Sequence, residues 1–185
     1  AEWIGTVHVD LRQDNGLSRA DLQAAADGGM RRISFGLESG SQRLLDLMRK
    51  GSSVERNAQF IRDAYAAGLS IRCTMFKGYP GETAQDMMDT VRFLEEHADY
   101  LDRVRFNDFS VHAGTPIWQA MMEKGGVDTD LRATHQDERR ARMEYRPRTA
   151  PDRAYRRAKL RALDLVYQIN RREVRNAARQ FDGLM

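Results

Sequence analysis

A single cysteine, Cys73, stands among 185 residues. One thiol cannot close an internal disulfide, and it cannot supply a cysteine-rich zinc site or the three thiolates of an iron–sulfur site. The scarcity of cysteine places the chain by default in the cytoplasm. The four histidines, His8, His97, His112 and His135, show no His-Glu-x-x-His spacing, so no zinc-hydrolase helix is present and no metal ligands are assigned. No stretch approaches the ~18 consecutive apolar residues of a membrane span, mean hydropathy is −0.67, and no membrane partner is expected. The start does not resemble a signal peptide. There is also no initiator Met. Residue 1 is Ala, and Trp3-Ile4 already reads as strand, so the chain is expected to be a piece of a longer polypeptide. Internal repeats and low-complexity segments are absent.

The length suits one domain, or one domain with a tail. A compact domain of this size buries about 70% of its unfolded-chain surface. With 41% hydrophobic and 31% charged residues the composition is that of a soluble globular domain. The net charge of +3 hides an asymmetry. Residues 1–126 carry 15 basic and 18 acidic side chains, whereas residues 127–185 carry 15 basic, 14 of them Arg, and 9 acidic. Composition therefore changes at the Gly125-Gly126 turn, which divides a core of residues 1–126 from a basic helical extension of residues 127–185.

Four apolar runs, at 3–9, 33–37, 69–76 and 104–111, fit buried strands. Helical patterns lie between them. Ser18 with Asp21 forms a capping arrangement for a helix ending at Gly28-Gly29. A short helix is expected at 41–48. Val54, Ala58, Ile61 and Tyr65 fall at helical spacing before the stop at Gly68, and Met87, Val91, Leu94 and Ala98 do the same. Thr115-Pro116 reads as an N-cap followed by Pro at the first helical position. This β-α alternation implies an α/β fold with a parallel sheet and right-handed crossovers. Four units make half of an eight-strand barrel and leave an edge to be covered, by a missing part or by the C-terminal region. Residues 127–149 read as irregular, with a short helix near 136–143. Residues 150–181 read as one long helix with Leu160, Leu163, Val166 and Tyr167 turned inward.

Sites in such folds collect at the C-terminal ends of the strands. Those ends carry His8, Asp10 and Arg12; Gly36-Leu37-Glu38-Ser39-Gly40; Gly78-Tyr79-Pro80-Gly81-Glu82-Thr83; and Ser110, His112 and Thr115. Polar groups at all four same-side ends fit the lining of one pocket. Glu38, between two glycines, can accept two hydrogen bonds from a vicinal diol; it can equally cap the helix that follows. The 78–83 segment is a tight turn into a helix, with or without a ligand. Cys73 and Met75 read as packing residues, and the late arginines as a solvated helix face.

Taken in register, these motifs resemble the radical S-adenosylmethionine (SAM) superfamily. The resemblance runs from Ile33-Ser-Phe-Gly-Leu-Glu-Ser-Gly-Ser through Arg49-Lys50-Gly51 and Asn57 to the 78–83 turn and Phe109-Ser-Val-His-Ala-Gly-Thr-Pro116. It covers about residues 3–124 and is nearest the cobalamin-binding, oxygen-independent coproporphyrinogen oxidase-like and methylthiotransferase-like branch. It implies a partial TIM-type (β/α)6 barrel of which strands 3 to 6 are present, with a helical C-terminal extension. In that family a [4Fe-4S] cluster on Cys-x3-Cys-x2-Cys cleaves SAM to a 5′-deoxyadenosyl radical that acts on substrate. The cysteine motif, the first two strands and the Gly-rich turn are not in this chain. The cluster ligands are therefore expected in a missing N-terminal part of the same polypeptide, and the chain alone is expected to be inactive.

Carried over position by position, the resemblance implies that Glu38 accepts the ribose hydroxyls and that Ser39 beside it is a cofactor-binding residue. Lys50 would pair with the methionine carboxylate, twelve residues and one helix of about 10 Å further on. Thr74 stands at a second ribose position. The Phe76 backbone would meet the adenine edge, Gly78, Tyr79, Pro80 and Gly81 its wall, and Val111 with its neighbours its other face. Arg12 is the polar contact at the first strand, where His8 takes the place of a carboxylate. No catalytic residue is assigned. The substrate class is a small molecule or peptide rather than nucleic acid, and cobalamin is a second cofactor the resemblance admits. Two other readings stand beside this one. The first is a non-catalytic half-barrel module docking a partner or nucleic acid through its Arg-rich C-terminal helix. The second is a sugar- or phosphate-binding barrel piece, for which Ala113-Gly-Thr-Pro116 is a short phosphate loop.

Overall fold

A computed structural model describes residues 1–12, 15–123, 131–147 and 151–183. The chain order is β1 (Trp3–Val7), α1 (Arg19–Asp27), β2 (Met30–Glu38), α2 (Gln42–Leu47), α3 (Val54–Ala66), β3 (Ser70–Lys77), α4 (Ala84–His97), β4 (Arg103–Asp108), β5 (Val111–His112), α5 (Pro116–Glu123), β6 (Leu131–Asp137), β7 (Arg142–Pro147) and α6 (Arg153–Arg171). β1 to β4 form a parallel sheet in sequence order, as the βα alternation requires. The capping motifs act where the sequence places them. Ser18 with Asp21, and Thr83 with Asp86, close reciprocal capping boxes, and Ser41 and Ser53 cap α2 and α3. Among the described residues no helix is long and apolar enough to cross a membrane.

The sheet has two unlike faces. Ile33, Phe35, Leu37, Ile71, Cys73, Met75 and Val104 are buried in the main core. Side chains from α3, α4 and α6, among them Ile61, Leu94 and Ile169, complete that core. Residues two apart share a face, so Ser34, Gly36, Arg72, Thr74, Phe76, Arg105 and Asn107 line up on the opposite face through the β2–β3–β4 register. That concave face is polar. Near the strands' N-terminal ends it carries Arg32, Arg72, Arg103 and Arg105. There Arg103 donates to Asp182 at 2.6 and 3.1 Å, and Arg32 Nη1 donates to the Phe181 carbonyl at 2.5 Å. The C-terminal segment thus closes that end of the sheet.

The structure corrects four expectations. The run at 104–111 is two strands: β4 ends at Asp108, and Val111 joins a separate antiparallel sheet, β5-β7-β6. Residues 131–147 are a β-hairpin, neither irregular nor helical near 136–143. Its apolar face is sparse, with Leu131, Met143 and Tyr145 packed beside Val111 and Met121, and the period of two is hard to see among so many polar residues. The helical extension expected at 127–185 is therefore part strand, and the Gly125-Gly126 boundary lies outside the described residues.

The third correction is that the helix expected at 150–181 ends at Arg171. Arg172 turns extended at ψ 152, and residues 176–181 form a separate 3₁₀ segment. Arg103 bonds the Arg172 carbonyl at 3.0 Å, which fixes this bend below the sheet. The fourth concerns the buried stripe of α6, which is Tyr155, Ala158, Ala162, Val166 and Ile169. Leu160 and Tyr167 are 65% and 60% exposed. Small alanines, rather than the large residues, face α4 because two helices there approach closely.

α6 also covers the sheet edge. Asn170 accepts from the Val104 amide at 2.8 Å and donates to the Val104 carbonyl at 2.9 Å. An edge strand otherwise exposes such groups as a template for pairing. Asn170→Ala should lower the stability of the chain by about 1–3 kcal/mol, since two backbone groups lose their partner together. Urea unfolding of the variant against wild type checks this.

Candidate functional site

The C-terminal ends of β2 and β3 meet at one buried carboxylate. Asp86 is 2% exposed. It accepts from Ser41 Oγ at 2.6 Å, Thr83 Oγ1 at 2.6 Å, the Thr83 amide at 2.8 Å and Arg43 Nε at 3.0 Å, and it pairs with Arg43 Nη2. Burial works against its charge, but the bonds from Arg43, Ser41 and Thr83 outweigh it and hold the carboxyl far below the ordinary range. Two helix starts, at Ser41 and Thr83, are therefore locked to one point.

Above this anchor β2 ends in an irregular step. The register shifts between Gly36 and Glu38, and Glu38 takes a left-handed backbone at φ 63. For a non-glycine residue that conformation costs ~1–3 kcal/mol and has to be held by its surroundings. The Glu38 side chain folds back over Gly36: a Cβ at position 36 would lie 2.5 Å from Glu38 Oε1. Oε1 receives Lys50 Nζ at 2.9 Å. Oε2 is buried without a hydrogen-bond partner. A carboxylate with one oxygen held and the other orphaned is an acceptor in waiting.

The expected separation of Glu38 and Lys50 is corrected. α2 has only six residues, and Arg49 at φ 53 with Gly51 at φ 64 turns the chain back. Lys50 therefore touches Glu38 instead of standing a ribose-to-carboxylate span away. Thr74 is half-buried on the concave face, paired with Gly36 in register. Ser39 is 1% exposed, within reach of Thr90 Oγ1 at 3.3 Å and accepting the Ser41 amide at 3.0 Å. Its hydroxyl shapes the turn and does not face the cleft. Gly40 is required there as well, because a Cβ would sit 2.7 Å from Thr90 Cα.

A cleft of about 930 Å³ opens beside Lys50, a size within the range of cofactor sites. Its wall comes from the 78–81 turn, in which Gly78 and Gly81 both adopt φ 78, and from Phe76. Tyr79 and Phe109 meet edge to face at 4.7 Å, with Phe76 perpendicular to Phe109 at 6.4 Å. Such a wall suits a flat heteroaromatic ring. Val111 is corrected: it is fully buried in the small core, because alternation along β5 turns it away from the cleft. Its neighbours Ser110 and His112 line the cleft instead. Arg12 pairs with Asp10 at 2.6 Å and is 78% exposed, and it does not line the cleft. His8 is exposed beyond the end of β1.

Sequence reasoning missed the second layer. Phe109 is fixed by Tyr145, whose hydroxyl donates to the Phe109 carbonyl at 2.5 Å. Tyr155 reaches Glu82 at 2.7 Å. The one available hint was that both are isolated aromatics in a polar region.

The donor set fits part of what the motifs imply. Glu38 Oε2, the cradle at Gly36 and the aromatic wall fit an adenosine. No iron–sulfur cluster fits: Cys73 is fully buried in the main core and burial pushes its thiol up to about 12. Among the described residues no group of three or more His, Cys, Asp or Glu side chains is placed to hold a metal.

Asp86→Asn should destabilise the chain by about 3 kcal/mol at pH 7, the usual scale for breaking a buried charged network. The folded carboxyl of Asp86 is depressed, so its contribution is complete above the unfolded range near pH 4 and fades as pH falls below it. Urea unfolding at pH 7 and pH 3 should show the gap between variant and wild type shrinking in acid.

The radical SAM superfamily model matches residues 6–94. An uncharacterized methyltransferase of Pyrococcus horikoshii is 27% identical over 97 residues, which are 52% of this chain and 21% of that protein. The ribosomal protein uS12 methylthiotransferase RimO of Anaeromyxobacter sp. (strain K) is 34% identical over 90 residues, 45% of this chain and 18% of that protein. The radical SAM methyltransferase TsrM from Kitasatospora setae, solved with cobalamin and a [4Fe-4S] cluster bound, shares the fold with a TM-score of 0.61. It is 14% identical, over 88% of this chain and 36% of that one. The chain spans about a fifth of the length of the curated relatives it matches. Over residues 6–94, then, this chain is similar to the radical SAM superfamily.

Proposed function

We propose that this chain is the SAM-binding half of a radical SAM enzyme. SAM would lie at the C-terminal ends of β2 and β3, with its ribose on Glu38 and its adenine against the 78–81 turn. The [4Fe-4S] cluster belongs on thiolates outside this chain. The reaction of the intact enzyme is the reductive cleavage of SAM to a 5′-deoxyadenosyl radical acting on a small-molecule or peptide substrate. Methyl transfer with cobalamin is the finer reading, supported by the name of the Pyrococcus relative and by the fold shared with TsrM. The observation that carries the proposal is Glu38, a left-handed residue with one buried oxygen unpartnered and the other on Lys50, which lines the cleft. Lys50, already on Glu38 and lining the cleft, would lend its remaining hydrogens to the bound SAM.

A second reading rests on α6, which turns Leu160 and Tyr167 outward among exposed arginines: a half-barrel that docks a partner and does no chemistry. A Cys-x3-Cys-x2-Cys motif in the parent polypeptide favours the enzyme, and its lack favours the module.

In the parent protein Glu38→Ala should weaken SAM binding by about 1–3 kcal/mol, the cost of removing a hydrogen bond to a charged group. Lys50→Ala should weaken it as well. Calorimetric titration with SAM reads both. Wild-type affinity in both variants would end the assignment of Glu38 and Lys50.

A further inference from the structure

The 78–83 turn is held from three sides. From α2, Arg43 Nη2 donates to the Gly81 carbonyl at 2.7 Å. From α4, Thr83 and Asp86 close the capping box. The third hold comes from the far end of the chain. Glu82 Oε2 accepts the Gly78 amide at 2.5 Å and the Tyr155 hydroxyl, from the first turn of α6, at 2.7 Å. One carboxylate oxygen therefore joins the first and fifth residues of the turn and ties both to a helix 73 residues away.

The turn is also a partition. Tyr79, Pro80 and Gly81 line the large cleft on one side. On the other they line a cavity of about 370 Å³ whose opposite wall includes Tyr155. A thin wall between two spaces has little packing of its own to fix it. Gly78 has open space where a side chain would be. The hydrogen bonds at Glu82 and Gly81 then set where Tyr79 stands, and Tyr79 packs on Phe109.

We propose that Tyr155 is a positioning residue for SAM: by donating to Glu82 it holds the 78–81 turn at the adenine face, so that SAM affinity depends on the seating of the C-terminal helix. This rests on the SAM reading above. Burial raises the Glu82 carboxyl, against the bonds from Tyr155 and Gly78. Tyr155 is itself held far above its ordinary range by burial and by the adjacent Glu82 charge, so it remains a donor. The charged groups around Glu82 are Lys77 from β3, Asp108 from β4, Asp86 from α4, Arg43 from α2, and Asp152 and Lys159 beside Tyr155. When Glu82 protonates, its carbonyl oxygen can still accept, but both bonds lose their charge assistance and the hold on the turn weakens toward acid.

Three measurements on the cluster-loaded parent protein test this, with SAM as the probe. Tyr155→Phe should raise the Kd for SAM about tenfold, the scale of one lost charge-assisted hydrogen bond, and should speed hydrogen exchange of the Gly78 amide without ligand. Glu82→Gln keeps an oxygen able to accept both bonds but does not titrate. It should bind SAM at pH 8 about as weakly as wild type does once Glu82 is protonated, and should lose no further affinity through this group in acid. A merely structural tyrosine would lower stability while leaving the Kd and the pH profile unmoved, and that result overturns the proposal. Should Tyr155→Phe not fold, an unmoved acid limb in Glu82→Gln overturns it alone. If wild type binds no SAM, the SAM reading fails and this inference with it. If wild type binds and both variants match it at every pH, this inference alone fails.

Discussion

The geometry of the strand ends depends on one buried ion, the Asp86 carboxylate. It lies at the start of α4, yet most of its partners reach it from elsewhere: Ser41 and Arg43 from α2, and Thr83 from the preceding turn. A charge so deeply placed is tolerable only when all its acceptor capacity is used. That demand fixes the entry to α2 relative to the entry to α4. Glu38 lies three residues before one of these entries, and the 78–81 turn lies immediately before the other. The parts of the site that would touch a ligand are loops, and what makes them definite is a group that touches none.

The second organising feature is the difference between the faces of the sheet. A doubly covered parallel sheet is apolar on both sides. Here one face is filled by helices and the other carries threonine, serine, glycine and arginine. Such a face suits the inner wall of a barrel. The polar rank is also graded. Arginines and Asp182 occupy the N-terminal end, while Thr74, Gly36 and Glu38 occupy the C-terminal end. The first group is closed off by the chain's own terminus, and the second lies at the strand ends where Glu38 meets Lys50.

Much of this was legible in the sequence, and the reason differs by element. The four strands and their order follow from apolar runs bounded by glycine and capping residues, which are local signals. Glu38 and the 78–83 turn stood out because unusual backbone needs unusual sequence. The contact of Lys50 with Glu38 was not legible, since it depends on how sharply Arg49 and Gly51 bend the chain. The hairpin escaped because its buried side is only a few residues deep. The inward face of α6 was misjudged because hydrophobic size was taken as a guide, whereas close helix packing selects Ala158 and Ala162. Tyr145 and Tyr155 act across 36 and 73 residues, and no local pattern encodes such a partner.

The Asn170 clasp on β4 bears on how the chain is made. Val104 and Asn170 are 66 residues apart. At synthesis rates of 5–20 residues per second, α6 leaves the ribosome roughly 3–13 s after the strand it must cover. For that interval the parallel sheet can form with β4 as an unclasped edge, open to pairing with another nascent chain. β4 is short, and Arg103, Arg105 and Asp108 place charges along it, the composition by which natural edges resist such pairing. Arg103 therefore serves the protein twice, first as a guard against aggregation and later as the seat for Asp182.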